Sequence, residues 1–105
     1  MSPSEERVAR NEALFREFNE RVERLAGDSP RIDFLCECGD LDCLERLSLT
    51  RTTYEQVRSD PRRFVVAPGH EDTDIARVVA RREGYVVVEK TADAARVAIE
   101  HDPRS

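Results

Sequence analysis

Apolar positions recur along the first 26 residues at helical spacing: Val8, Asn11, Phe15, Phe18, Val22 and Leu25 step by three and four, a seam with one polar member. The start and stop signals agree with a helix. Ser2 can cap it, Pro3 suits the first turn, Glu5 completes a capping box, and Gly27 supplies a left-handed stop before Pro30. Glu6 and Arg10, Glu12 and Arg16, Glu17 and Arg21, and Glu20 and Arg24 are each spaced four apart, acid first. Each such pair adds only about 0.2–0.5 kcal/mol, but together they predict a largely solvated helix. Two partners suit its seam: the rest of the chain, or a second copy through residues 4–26, where Asn11 would fix the register of a short coiled coil.

Beyond Pro30 the period shortens. IDFLCEC predicts a short strand running into a turn at Gly39-Asp40, and Leu44 to Leu49 its return, with Leu47 and Leu49 on one face. Thr52 and Glu55 form a capping box for a helix from Thr53 to Ser59, with Tyr54 and Val57 inward. FVVA is a brief buried strand. Ile75 to Arg81 and Tyr85 to Lys90 predict a hairpin with Gly84 at a position needing positive φ. Thr91 can cap a last helix, Ala92 to Glu100, that turns Ala94, Ala95, Ala98 and Ile99 to the sheet. The expectation is an α+β fold: a long N-terminal helix (1–29), then a small antiparallel sheet with short helices (30–100), then a flexible tail (101–105).

Composition changes this picture in one respect. Of 105 residues 39% are hydrophobic and 37% charged, a lean apolar supply for which an added staple would be useful. The net charge of −5 argues against bulk attraction to nucleic acid or anionic lipid. No apolar run approaches the roughly 20 residues of a membrane span, and MSPSEERVAR lacks the apolar core of a signal peptide. A cytoplasmic location is therefore expected, where clustered cysteines serve as metal ligands or redox centres more often than as disulfides.

All three cysteines fall in CECGDLDC: Cys36, Cys38 and Cys43. Around a turn they form a zinc knuckle, Gly39 relaxing the backbone so that amide groups can face the sulfurs. Zinc takes four ligands, and the fourth expected is His70, in the Pro68-Gly69-His70 turn after FVVA. His101, in the tail, is the poorer candidate. The expected site is thus one Zn2+ per chain on Cys36, Cys38, Cys43 and His70, a Cys3His set. C-x-C-x4-C is less diagnostic than paired C-x-x-C, so a thiol-disulfide switch, inert packing and iron stay open.

FLCECGDLDCLERLSLT, YEQVRSDPRRFVVAPGHE and GYVVVEK, with RNEALFREFNERVE before them, resemble a group of small, uncharacterised actinobacterial proteins sharing a CECGD-x-x-C block and a PGHE turn. The resemblance spans residues 8 to 90 and implies that the three cysteines and His70 belong to one unit. It carries no activity over.

Catalytic signatures are absent. There is no H-E-x-x-H, no G-x-S-x-G, no zinc-deaminase pattern and no phosphate-cradling glycine loop. Glu71 next to His70 could act as a base only on an open metal site, which a complete Cys3His set would close. Glu37, Asp40, Asp42 and Glu45 read as a solvated rim. The function expected is a cytosolic structural-zinc module for interaction with a protein partner or for regulation. The alternative is nucleic-acid or phosphate binding through Arg58, Arg62 and Arg63 with Arg77, Arg81 and Arg82, were the two clusters to share a face.

Overall fold

A computed structural model describes residues 1–104. Helix α1 (Pro3–Leu25) starts as its sequence predicts: Glu5 N–H donates to Ser2 Oγ at 3.1 Å, Ser2 N–H donates to Glu5 Oε1 at 2.9 Å, and Gly27 follows the C-cap at φ +58°. Strands β1 (Ile32–Leu35) and β2 (Arg46–Leu49) pair antiparallel, Phe34 opposite Leu47. Helix α2 (Arg51–Arg58) begins two residues earlier than expected, because the chain turns as soon as β2 ends. Thr50 is the cap, its Oγ1 accepting from Thr53 N–H at 3.1 Å, and Glu55 is turned to Arg104 rather than back to Thr52.

Strands β3 (Arg63–Val66), β4 (Ala76–Arg82) and β5 (Tyr85–Lys90) form a second antiparallel sheet in the order β3-β5-β4. The fold is α+β, with two small sheets where the sequence suggested one. The β4–β5 hairpin turns at Gly84, φ +85°, as expected, and a bulge at Val79 interrupts β4. Alternation sorts the second sheet's side chains. Phe64, Val86 and Val88 face α1 and helix α3 (Ala92–Glu100), while Val87 and Tyr85 face α2. Thr91 precedes α3 without a side-chain cap bond, and Ala92 enters it at φ +48°, a region unfavourable for a residue with a Cβ. Val97 takes the buried place expected of Ile99, which points outward.

The largest departure from the sequence pattern is the face that α1 buries. Ala9, Glu12, Ala13, Arg16, Asn19, Glu20 and Glu23 are inside, whereas Phe18 and Leu25 of the expected seam are exposed. Asn11 is spent on the chain itself, its Nδ2 donating to Gly39 O at 3.1 Å. Of the four helix-surface pairs expected, Glu6–Arg10 forms, at 3.2 Å. Glu12 instead meets Lys90. Arg16 lies over the Phe64 ring at 4.4 Å and donates to Pro61 O at 2.6 Å and Ala98 O at 2.7 Å. Glu20 accepts from Arg58 and Arg104, both at 2.7 Å. In the expected tail, Asp102 accepts from Arg58 at 2.5 Å and Arg104 donates to Glu20, so these two residues are tied to α2 and α1 by charge; Ser105 lies outside the described residues.

Candidate metal centre

Chain geometry brings the four expected ligands together. Cys36 continues the line of β1, its N–H donating to Glu45 O at 3.2 Å across the start of β2. The chain then turns through Gly39 at φ +80°, and Cys43 N–H closes that turn on Asp40 O at 3.0 Å. A second turn after β3, closed by His70 N–H on Ala67 O at 3.0 Å, delivers the imidazole. The ligand atoms of Cys36, Cys38, Cys43 and His70 all lie within 4.8 Å of one another. His70 Nδ1 is 3.6 Å from Cys36 Sγ and 3.5 Å from Cys43 Sγ. Bonds of about 2.3 Å to sulfur and 2.0–2.1 Å to nitrogen in a tetrahedron require S···N separations of roughly 3.6 Å. The cluster has the donor set and the spacing to hold a metal ion. The thiols are free.

Backbone amides support the sulfurs. Ala67 N–H donates to Cys36 Sγ at 3.1 Å, and the amides of Asp40 and Glu45 face Cys38 and Cys43. Cys38 is pulled down to about 5, first by donation from Cys36 and further by the Asp40 amide and His70. The same bond to Cys38, with burial, pushes Cys36 up, and burial pushes Cys43 up. The cluster therefore favours one thiolate, at Cys38, while Cys36 and Cys43 hold their protons, which a bound metal would have to displace. Access exists: Cys38, Asp40, Gly69 and His70 line an open depression of about 260 Å³.

Gly39 has two reasons to be glycine. Besides its positive φ, a Cβ there would stand 2.8 Å from Glu12 Cγ and from Val8 O. The cysteine turn is thereby pressed onto α1, beside the Asn11 bond.

Glu37 corrects the sequence reading. Asp40, Asp42 and Glu45 are exposed, but Glu37 is 0% exposed. It accepts from Asn19 Nδ2 at 2.8 Å, from Val65 N–H at 3.0 Å and from the Tyr54 hydroxyl at 3.3 Å. Burial pushes its carboxyl up, against those donors. One residue between two cysteines of the cluster thus ties the cysteine turn to α1, α2 and β3. The signal was present in the spacing: with Cys36 and Cys38 turned to one side of an extended segment, the residue between them must turn to the other.

The remaining expected site residues are placed elsewhere. His101 caps α3 and is not in the cluster. Glu71 is committed, accepting from Gly69 N–H at 3.1 Å and from Arg81 at 3.3 Å. Of the six arginines, Arg58 is withdrawn into the interior with Glu20 and Asp102. Arg62, Arg63 and Arg77 converge on Glu89 at 3.7, 3.2 and 2.9 Å. Among the described residues no helix is long and apolar enough to cross a membrane. Comparison with protein-family models, with curated proteins and with solved structures gives no match.

Proposed function

We propose that this chain is a small structural-zinc module of the cytoplasm, acting by interaction with a protein partner, with one Zn2+ on Cys36, Cys38, Cys43 and His70. The observation that carries the reading is the pair of S···N separations, 3.6 and 3.5 Å, at the edge length of a zinc tetrahedron. Four protein ligands would close the coordination sphere, and Glu71, the acid next to His70 in the chain, is held by Gly69 and Arg81; both features favour a structural role over a catalytic one. Sulfur-rich ligation with one imidazole favours zinc over harder cations. Elemental analysis of the purified protein tests this. One zinc per chain, with unfolding on chelation and weakened affinity in His70→Ala, is expected; protein free of metal that melts at the same temperature as the loaded form overturns it.

A further inference from the structure

The two edges of the β3-β5-β4 sheet are finished differently. On the β3 side the edge is occupied: Glu37 N–H donates to Val65 O at 2.9 Å, Val65 N–H to the Glu37 carboxylate at 3.0 Å, and Ala67 N–H to Cys36 Sγ. On the other side β4 pairs with β5 alone, and no other strand among the described residues pairs with its outer edge. Such an edge is a template for another extended chain. Beside it lies a groove of about 290 Å³ between α2 and the sheet, floored by Val57, Tyr85 and Val87 and reached across Val79 and Ala80 of β4. Arg63 and Arg82 flank it.

We propose that the β4 edge docks an extended acidic segment of a protein partner, which adds as a fourth strand and sets an apolar side chain into the groove. Charge selects this occupant. Along this face Arg62, Arg63 and Arg77 share two carboxylates, Asp60 and Glu89, and Arg82 adds a fourth cation at the groove, a local excess of positive charge in a chain of net charge −5. A second copy is disfavoured. Its β4 strand would bring Arg77, Arg81 and Arg82, three further cations and no acid, to the same edge. Nucleic acid is disfavoured by the Asp60 and Glu89 carboxylates among the arginines, whereas an acidic peptide brings backbone partners for the edge as well as charge. The proposal rests on reading the chain as an interaction module, not on the metal.

The test uses the whole chain and a fluorescein-labelled peptide, Asp-Glu-Val-Leu-Val-Asp-Glu, with a control in which lysine replaces every acid, and a decauridylate. Saturable binding of the acidic peptide is expected, with amide shifts and slowed exchange over residues 76–82. Arg77→Gln with Arg82→Gln should weaken it about tenfold, as two rim ion pairs would. Val79→Glu, at the half-exposed middle of the edge, should weaken it as well. Circular dichroism confirms that each variant folds. Equal binding of the lysine control, shifts away from β4, indifference to both variants, or tighter and steeply salt-dependent binding of decauridylate each overturn the proposal. Zinc measured in the same samples separates the two readings: loaded protein that ignores the peptide sinks only the docking site, and folded, zinc-free protein that binds it sinks only the metal.

Discussion

The inner face of α1 and the interior of the β3–β5 pair lie against each other, yet they are held by different physics. Phe64, Val65, Val66, Val86 and Val88 are each no more than 2% exposed and carry no polar side-chain atom, so their contribution is removal of apolar area from water. The α1 face buries Glu12, Arg16, Asn19, Glu20 and Glu23, and contributes only where each charge finds its partner. An apolar interface tolerates small errors of placement. A charged one does not, since a stranded buried ion costs several kcal/mol. The second interface therefore specifies one docking of α1 rather than merely favouring docking. Lys90 reaching Glu12 and Arg16 lying on Phe64 stitch the two together.

The sharpest way to break the comparison is Arg58→Ala. It strips the guanidinium from Glu20 and Asp102 in the interior and should cost about 3–5 kcal/mol in denaturant unfolding. Arg58→Met, which keeps volume but not charge, should also destabilise, because the carboxylates remain. If Arg58→Met is as stable as the parent, the charged interface is dispensable and the contrast is false.

A pH titration sharpens it next. Burial pushes the Glu12 carboxyl up to about 7, even with the Lys90 ammonium against it. A carboxyl whose pKa is higher folded than unfolded holds its proton more tightly in the fold. Its contribution is fully present below about 4.5 and is lost as pH rises through about 7, up to about 3 kcal/mol at 1.36 kcal/mol per unit. Glu12→Gln should flatten this part of the stability profile, so the two proteins differ in slope between pH 4.5 and 7. Parallel profiles would mean that Glu12 stays ionised throughout. The apolar side of the comparison has no such dependence: Val88→Ala should cost about 2 kcal/mol by lost burial and cavity formation, and the same amount at pH 5 as at pH 7.

How much of this was legible follows from the range of each signal. Local signals were read correctly: the Ser2 capping box, the Gly84 hairpin and the strands around it all depend on neighbours a few residues apart. The gathering of Cys36, Cys38, Cys43 and His70 was also legible, because few residue types can hold a soft cation and the chain offers three cysteines and two histidines. The buried face of α1 was not. Glu12, Arg16 and Glu20 fall at helix-surface spacing, and their actual partners, Lys90, Ala98 O and Arg104, are 78, 82 and 84 residues away. Periodicity assigns charge to water; a chain with 37% charged residues and a lean apolar supply has to bury some of it.

The smallest predicted effect isolates that lesson. Glu6–Arg10 and Glu20–Arg24 are the same pattern in the sequence, acid first and four apart. In the fold, Glu6 and Arg10 meet at 3.2 Å with side chains 46% and 60% exposed, while Glu20 turns inward to Arg58 and Arg104 and Arg24 stays at the surface. Glu6→Gln should therefore change stability by about 0.2–0.5 kcal/mol, an effect that added salt erases. Glu20→Gln removes a charge shared by two guanidinium groups, one of them buried, and should cost several times more with little salt dependence. Equal, salt-sensitive losses in the two variants would mean that α1 lies on the domain as a solvated helix and that its inner face is not a sealed network. Unequal losses from one sequence pattern would place the cause in the partner that each glutamate finds, not in the helix that carries both.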